Sequence, residues 1–308
     1  MKDKKVDLLL LLLPILAIGS LFFVFSQNPP FDLRETSFPQ SEEVKNISST
    51  RPEIEDSVYF KSVDEHLVYL RKQVSNERGT FGFFIKDLKT DEEYTFNSSE
   101  IFYGASLYKL SIAVAIFKDI ELRNIKLEDK ITFTSSDHTS GTGSIGRTSY
   151  GTKYTIGAVL EYLMRHSDNS GQVMLEKVLG EPKIGKTFEN LTPEQNYNNF
   201  YHKNMTSPRE YGYIVEKAFY GDWISETNKM RLLDLMYPTL FDDRITPYLK
   251  EGLIFYHKIG SWPYSWHDCG IVAGNSKEVI VCLMSKETSY SSFLNVSKYV
   301  GGFINSLF

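Results

Sequence analysis

Hydrophobic and polar positions divide the chain into three stretches. From Leu8 to Phe25 the sequence is uncharged and apolar, interrupted only by Pro14, Gly19 and Ser20. At a rise of about 1.5 Å per residue, that run crosses most of a bilayer core of roughly 30 Å. Lys2, Lys4 and Lys5 precede it, which predicts a cytoplasmic N-terminus and an exported body. A cleaved signal peptide is the competing reading, with Ala17-Ile18-Gly19 as a small-x-small site. The continuation "LFFVF" extends the apolar run past that site and favours an uncleaved anchor over residues 1–26. No cysteine lies nearby, which excludes a lipoprotein anchor. Residues 27–55 are polar and rich in Pro, Ser and Glu, the composition of a flexible linker. The body spans 56–308.

Within the body the periodicity changes several times. Val63, Leu67, Leu70 and Val74 recur at helical spacing. "TFGFFIKDL" and "YTFNS" read as two strands joined by a turn in "KTDEE". From Leu110 to Phe117 nearly every residue is apolar, which predicts a buried helix. Residues 131–150 are rich in Ser, Thr and Gly and read as irregular surface. Thr155 is a candidate cap for a helix through "IGAVLEYLMRH", and "GQVMLEKVL" continues as another. Residues 181–207 read as polar loop, and helices follow in "SPREYGYIVEKAFYG" and "ETNKMRLLDLMY". "LIFYHKIG", "HDCGIVAG" and "EVIVCLMSK" read as strands, and Phe293 to Leu307 carry one apolar helical face. Strands at both ends around a helix-rich middle predict an α+β body: a sheet completed by the C-terminal hairpin, beside a helical lobe.

Composition adds limits. The chain has 308 residues, 42% of them hydrophobic, enough for one large globular domain or two small ones. The formal net charge of -5 comes with no basic block, so nothing points to nucleic acid as a partner. Cys269 and Cys282 form no C-x-x-C, and no H-E-x-x-H occurs, so no metal or redox motif is present. A hairpin turn at Asn275-Ser276 places Cys269 opposite Cys282. A cross-strand disulfide and two buried thiols both fit.

The candidate chemistry starts at Lys109, a lysine at the mouth of an apolar helix and three residues after Ser106. Lysine is rarely buried without a partner. Taken alone, S-x-x-K describes a serine cap beside a surface lysine. The apolar helix beyond it and the rest of the chain change that reading. Ser167-Asp168-Asn169 follows a helix end, and Lys258-Ile259-Gly260 closes a strand-like run. "GTGSIG", Gly141 to Gly146, matches a dinucleotide fingerprint but lacks the strand before it and the helix after it. No serine sits in G-x-S-x-G, which argues against an α/β-hydrolase.

The order S-x-x-K, S-D-N, K-x-G resembles that of the penicillin-recognising serine enzymes, and class A β-lactamases in particular. "YGTKYTIGAVLEYLMRH" before "SDN", "TSPREYG", and "HKIG" followed by "HDCGIV" and "EVIVCLM" extend the resemblance over 56–308. It implies an antiparallel sheet covered by helices beside an all-helical lobe, with the active site between them. By the same resemblance Ser106 is the nucleophile and Lys109 its base or the base's partner. Ser167 relays a proton to the leaving nitrogen. Asn169, Lys258, Gly260 and Ser261 form the substrate side, with the backbone N–H groups of Ser106 and Ser261 as an oxyanion hole. The expected substrate is a small amide, β-lactam or peptide-like. The body is read as a monomer tethered to the membrane, with no cofactor and no metal.

The chain departs from that pattern at two places. The deacylating glutamate of an E-P-x-L-N motif aligns with Thr192, in Thr192-Pro193-Glu194-Gln195-Asn196. Glu194 and Glu189 are the nearby carboxylates. Ile259 replaces a hydroxyl residue, and His267, Asp268 and Cys269 stand where an arginine that binds the substrate carboxylate is often found. These departures predict slow deacylation, or a peptidase or esterase whose substrate lacks a C-terminal carboxylate. They also fit a penicillin-binding protein without turnover.

Overall fold

The computed structural model describes residues 60–193, 196–274 and 277–308. The expected anchor, the linker and the first residues of the body lie outside them, as do Glu194 and the hairpin residues Asn275 and Ser276. Among the described residues no helix is long and apolar enough to cross a membrane.

The sheet is antiparallel, with its strands in the order β2 (Glu93–Phe96), β1 (Thr80–Asp87), β9 (Glu278–Lys286), β8 (Ser265–Ala273) and β7 (Ile254–Trp262). A short antiparallel pair, β3 (Phe102–Tyr103) and β6 (Met205–Thr206), stands apart from it. Strand β9 is apolar on both faces because both faces are covered. Alternate residues point to opposite sides. Val279, Val281 and Leu283 pack with the helices α1 (Val63–Asn76) and α9 (Tyr290–Leu307). Ile280, Cys282 and Met284 face the other core, which α7 (Pro208–Tyr220) joins through Tyr211, Ile214 and Val215. Cys269 and Cys282 are direct register partners and are joined as a disulfide, which resolves the two readings of the pair.

The helical lobe surrounds α2 (Lys109–Glu121), in which Lys109 to Phe117 are buried without a break. Around it lie α3 (Ile156–Arg165), α4 (Asn169–Leu179), α5 (Glu181–Leu191), α6 (Tyr197–Lys203) and α8 (Glu226–Met236). The cap expected at Thr155 forms, its hydroxyl accepting from Ala158 N at 3.1 Å. The loop expected over 181–207 is a correction: it holds α5 and α6. Gly180, at a φ of 76°, ends α4, and Pro182 sits in the first turn of α5. Ile184, Phe188 and Leu191 then follow at i, i+4 and i+7 and are buried. The polar residues on the outer face of α5 hid that stripe in the sequence. Residues 131–150 are irregular apart from the end of β4 (Lys130–Thr132), which pairs with β5 (Lys153–Thr155), and two single turns.

Candidate active site

The site lies where the turn before α2 meets the edge strand β7. Ser106 sits in a single 3-10 turn, Ala105–Tyr108, that runs directly into α2. Ala105 adopts a left-handed φ of 49°, a conformation that costs a non-glycine residue about 1–3 kcal/mol and needs support. Asn204 supplies some of it, donating from Nδ2 to Ala105 O at 2.9 Å and accepting from Gly104 N at 2.7 Å. The buried Tyr211 donates to Leu107 O at 3.0 Å. Gly260 lets β7 press against this turn, since a Cβ there would stand 2.8 Å from Gly104 O. Ser261 is thereby brought to the cavities that Ser106 lines.

Lys109 reaches back from the start of α2 and is 1% exposed. Its Nζ donates to Ser106 Oγ at 3.0 Å, Ser167 O at 2.6 Å, Ser167 Oγ at 3.3 Å and Asn169 Oδ1 at 2.7 Å. Four acceptors surround a group with three protons when charged. Burial pushes the amine down to about 7, against the opposing pull of Asp168 and Glu176. A neutral amine in this place can take a proton from Ser106 Oγ. Lys258, on β7, donates to Ser167 Oγ at 3.0 Å. Burial lowers its pKa, and the charges of Lys109 and Arg244 lower it further. Ser106, Lys109, Ser167 and Lys258 thus form one hydrogen-bonded chain across both lobes.

The S-D-N segment is held by the glycine-rich segment that resembled a nucleotide fingerprint. Ser167 has a left-handed φ of 52°, and its carbonyl accepts from Thr142 Oγ1 at 2.8 Å. Asp168 is fully buried and caps α4 through Gly171 N at 2.8 Å. Its other oxygen accepts from Ser144 N at 2.6 Å and Ile145 N at 2.8 Å. Gly143 has a φ of 112°, and a Cβ there would stand 2.2 Å from Asp168 Oδ2. "GTGSIG" is therefore a cradle for a carboxylate of the chain itself.

Sequence reasoning missed Arg244, which comes from the segment before β7. It is 3% exposed and donates to Gly260 O at 2.9 Å, to Ser261 Oγ at 2.7 Å and to His267 O. Arg244 lines a cavity of about 220 Å³ with Ser106, Ser167 and Ile259. The absence of an arginine from β8 thus does not leave the pocket without a guanidinium. No periodic pattern marks Arg244 in "FDDRITP". The segment is fixed by His257, whose Nδ1 faces Asp268 Oδ1 at 2.6 Å and whose Nε2 faces Asp242 Oδ1 at 2.9 Å. Burial lowers the His257 pKa, but the two carboxylates outweigh it and raise it to about 9. Asp268 also accepts from Ile245 N at 3.1 Å. His257 is thus a charged structural clamp. His267, by contrast, is pushed down to about 4 mainly by burial. It stays neutral, with Nε2 donating to Tyr103 O at 2.8 Å and Nδ1 accepting from Ser285 N at 3.3 Å.

Of the residues flagged for deacylation, Glu194 lies outside the described residues, and Thr192, Asn196 and Glu189 are not brought to Ser106. Thr192 ends α5 and is buried, and its hydroxyl has no partner among the described residues. Asn196 bonds Glu210, which closes the capping box of α7. Neither lines the two cavities at Ser106. Glu189 is exposed on α5. Among the described residues no group of His, Cys, Asp and Glu would hold a metal ion.

The profile of the β-lactamase enzyme family matches residues 68–300. The chain belongs to that family. Solved structures agree in fold. PBP-A is 21% identical with a TM-score of 0.69, over 78% of this chain and 96% of that one. A PBP-A variant, solved as an acyl-enzyme complex with penicillin G, is 22% identical with a TM-score of 0.70, over 79% and 97%. An ancestral class A β-lactamase is 19% identical with a TM-score of 0.69, over 80% and 100%. No curated protein matches the chain. At these identities the family member shares the fold with both β-lactamases and a penicillin-binding protein.

Proposed function

We propose that the protein is a serine hydrolase of the class A β-lactamase type, opening β-lactam amides through an acyl-Ser106 intermediate. The observation that carries this reading is the 3.0 Å contact from Lys109 Nζ to Ser106 Oγ, with the amine held near neutrality. Lys109 takes the Ser106 proton as Oγ attacks the amide carbon. Charge developing on the carbonyl oxygen falls to the backbone N–H groups of Ser106 and Ser261. Ser167, between Lys109 and Lys258, passes a proton to the departing nitrogen. Asn169 holds the substrate amide. Lys258 and Arg244 supply positive charge for a substrate carboxylate, which removes the argument for a substrate without one. The lysine-flanked apolar run at the N-terminus supports a body exported and tethered to the membrane.

A second reading, a penicillin-binding protein that is acylated and does not turn over, is favoured by Thr192 in the place of the deacylating glutamate. Labelling the full chain with a fluorescent penicillin and a fluorophosphonate, with Ser106→Ala beside it, tests both. Penicillin label that depends on Ser106 and clears supports the hydrolase, and label that persists supports the second reading. Fluorophosphonate label without penicillin label points to another hydrolase. No label that depends on Ser106 overturns the catalytic account.

A further inference from the structure

Two cavities open at Ser106, and each holds a carboxylate. In the smaller it is Asp243, which accepts from Tyr290 Oη at 2.6 Å. In the larger, of about 730 Å³, it is Glu176, which lines the same wall as Asn169, Gln172 and Val173. Glu176 lies seven residues after Asn169 on α4, hence on the same face and about 10 Å further along the axis. Helical side chains lean toward the N-terminus, which points Glu176 back toward Asn169 and Lys109. Gln172 Nε2 donates to Glu176 Oε1 at 2.8 Å and fixes that direction. Tyr108 and Lys109 from the nucleophile side, and Tyr201, His202 and Lys203 of α6, are the titratable groups around it. Burial raises the Glu176 carboxyl above its ordinary value, while Gln172 and the Lys109 charge hold it down. A carboxylate with a raised pKa is a better proton acceptor than an ordinary one.

We propose that Glu176 is the general base of deacylation, accepting a proton from a water in the larger cleft that attacks the acyl-Ser106 ester. The inference rests on the acyl-Ser106 reading above. The water oxygen bonds to the acyl carbon and one water proton passes to the Glu176 carboxylate. The tetrahedral intermediate then collapses, the bond from the acyl carbon to Ser106 Oγ breaks, and the proton that Glu176 took passes to Oγ, which restores the Ser106 hydroxyl. The product leaves as a carboxylic acid, which gives up its proton to solvent, and Glu176 is again a carboxylate. A carboxylate on α4 would thus do the work that Thr192 cannot.

The test follows intact mass after mixing the full chain with benzylpenicillin, for the parent, Glu176→Gln and Glu176→Asp. The expected result is acylation within about tenfold of the parent in Glu176→Gln, with loss of the adduct slowed about 10²–10⁴-fold. Glu176→Asp, which keeps the carboxylate on a shorter arm, falls between the two. An adduct that clears from Glu176→Gln as fast as from the parent overturns the assignment and leaves the acyl-enzyme intact. A parent adduct that persists as long as the variant's does the same. No adduct on the parent overturns the acyl-Ser106 reading and this inference with it. The acylation rate shows that the variant is folded, so slow clearance in it is not a folding defect.

Discussion

Replacing Lys109 by arginine separates charge from basicity. Both side chains can carry a positive charge, but a guanidinium does not lose its proton in a protein. Burial brings the Lys109 amine from 10.5 to about 7. That displacement is worth about 5 kcal/mol of preference for the neutral form. At pH 7 about half of the amine is free base, against about 0.03% of an ordinary lysine, a gain of roughly a thousandfold. The acylation rate of the parent should therefore rise about tenfold per pH unit up to about pH 6.5 and level off above about 7.5. Lys109→Arg should lose about 10²–10⁴ of that rate, or roughly 3–5 kcal/mol of transition-state stabilisation. The assay is quenched-flow mass spectrometry of penicillin acylation from pH 5 to 9, with thermal melts to show that the variant is folded. A pH-independent parent rate, or a folded Lys109→Arg within tenfold of it, would refute the assignment of Lys109 as the base.

Other predictions address the scaffold. The His257 pKa is raised in the folded state, so its contribution to stability is complete below pH 6.5 and is lost as pH rises through about 9. It amounts to about 3 kcal/mol, and urea titrations of parent and His257→Gln between pH 6 and 10 should converge as pH rises. A gap that does not change with pH would exclude a charged clamp. Gly143→Ala should cost about 2–4 kcal/mol, from its positive φ and from the contact with Asp168. Gly151→Ala has a φ of 92° but nothing within 4 Å, so it should cost only about 1 kcal/mol in the same denaturant series. Equal losses would show that the cradle around Asp168 carries no special load.

The strands and most helices were legible because both kinds of element carry their burial in their spacing. The β7–β9 runs are apolar at successive positions, and Val63 to Val74 recur at helical intervals. The stretch 181–207 was not legible, because its buried stripe at Ile184, Phe188 and Leu191 is set among polar residues. At the site, the local motifs were readable since S-x-x-K and S-D-N each sit at a helix start. Arg244 was not, because an irregular segment carries it to Ser261 and only the tertiary fold puts them together. Glu176 had a signal in its interval of seven from Asn169, but an interval without the cavity does not separate it from other helical glutamates. "GTGSIG" had the right glycines for holding an anion, and the anion is Asp168.

The most direct measurement is peptide mapping by mass spectrometry after brief exposure of the full chain to benzylpenicillin. The account predicts an acyl group on the peptide that contains Ser106, and none in Ser106→Ala. An acyl group on another residue, or the same adduct in Ser106→Ala, would contradict it.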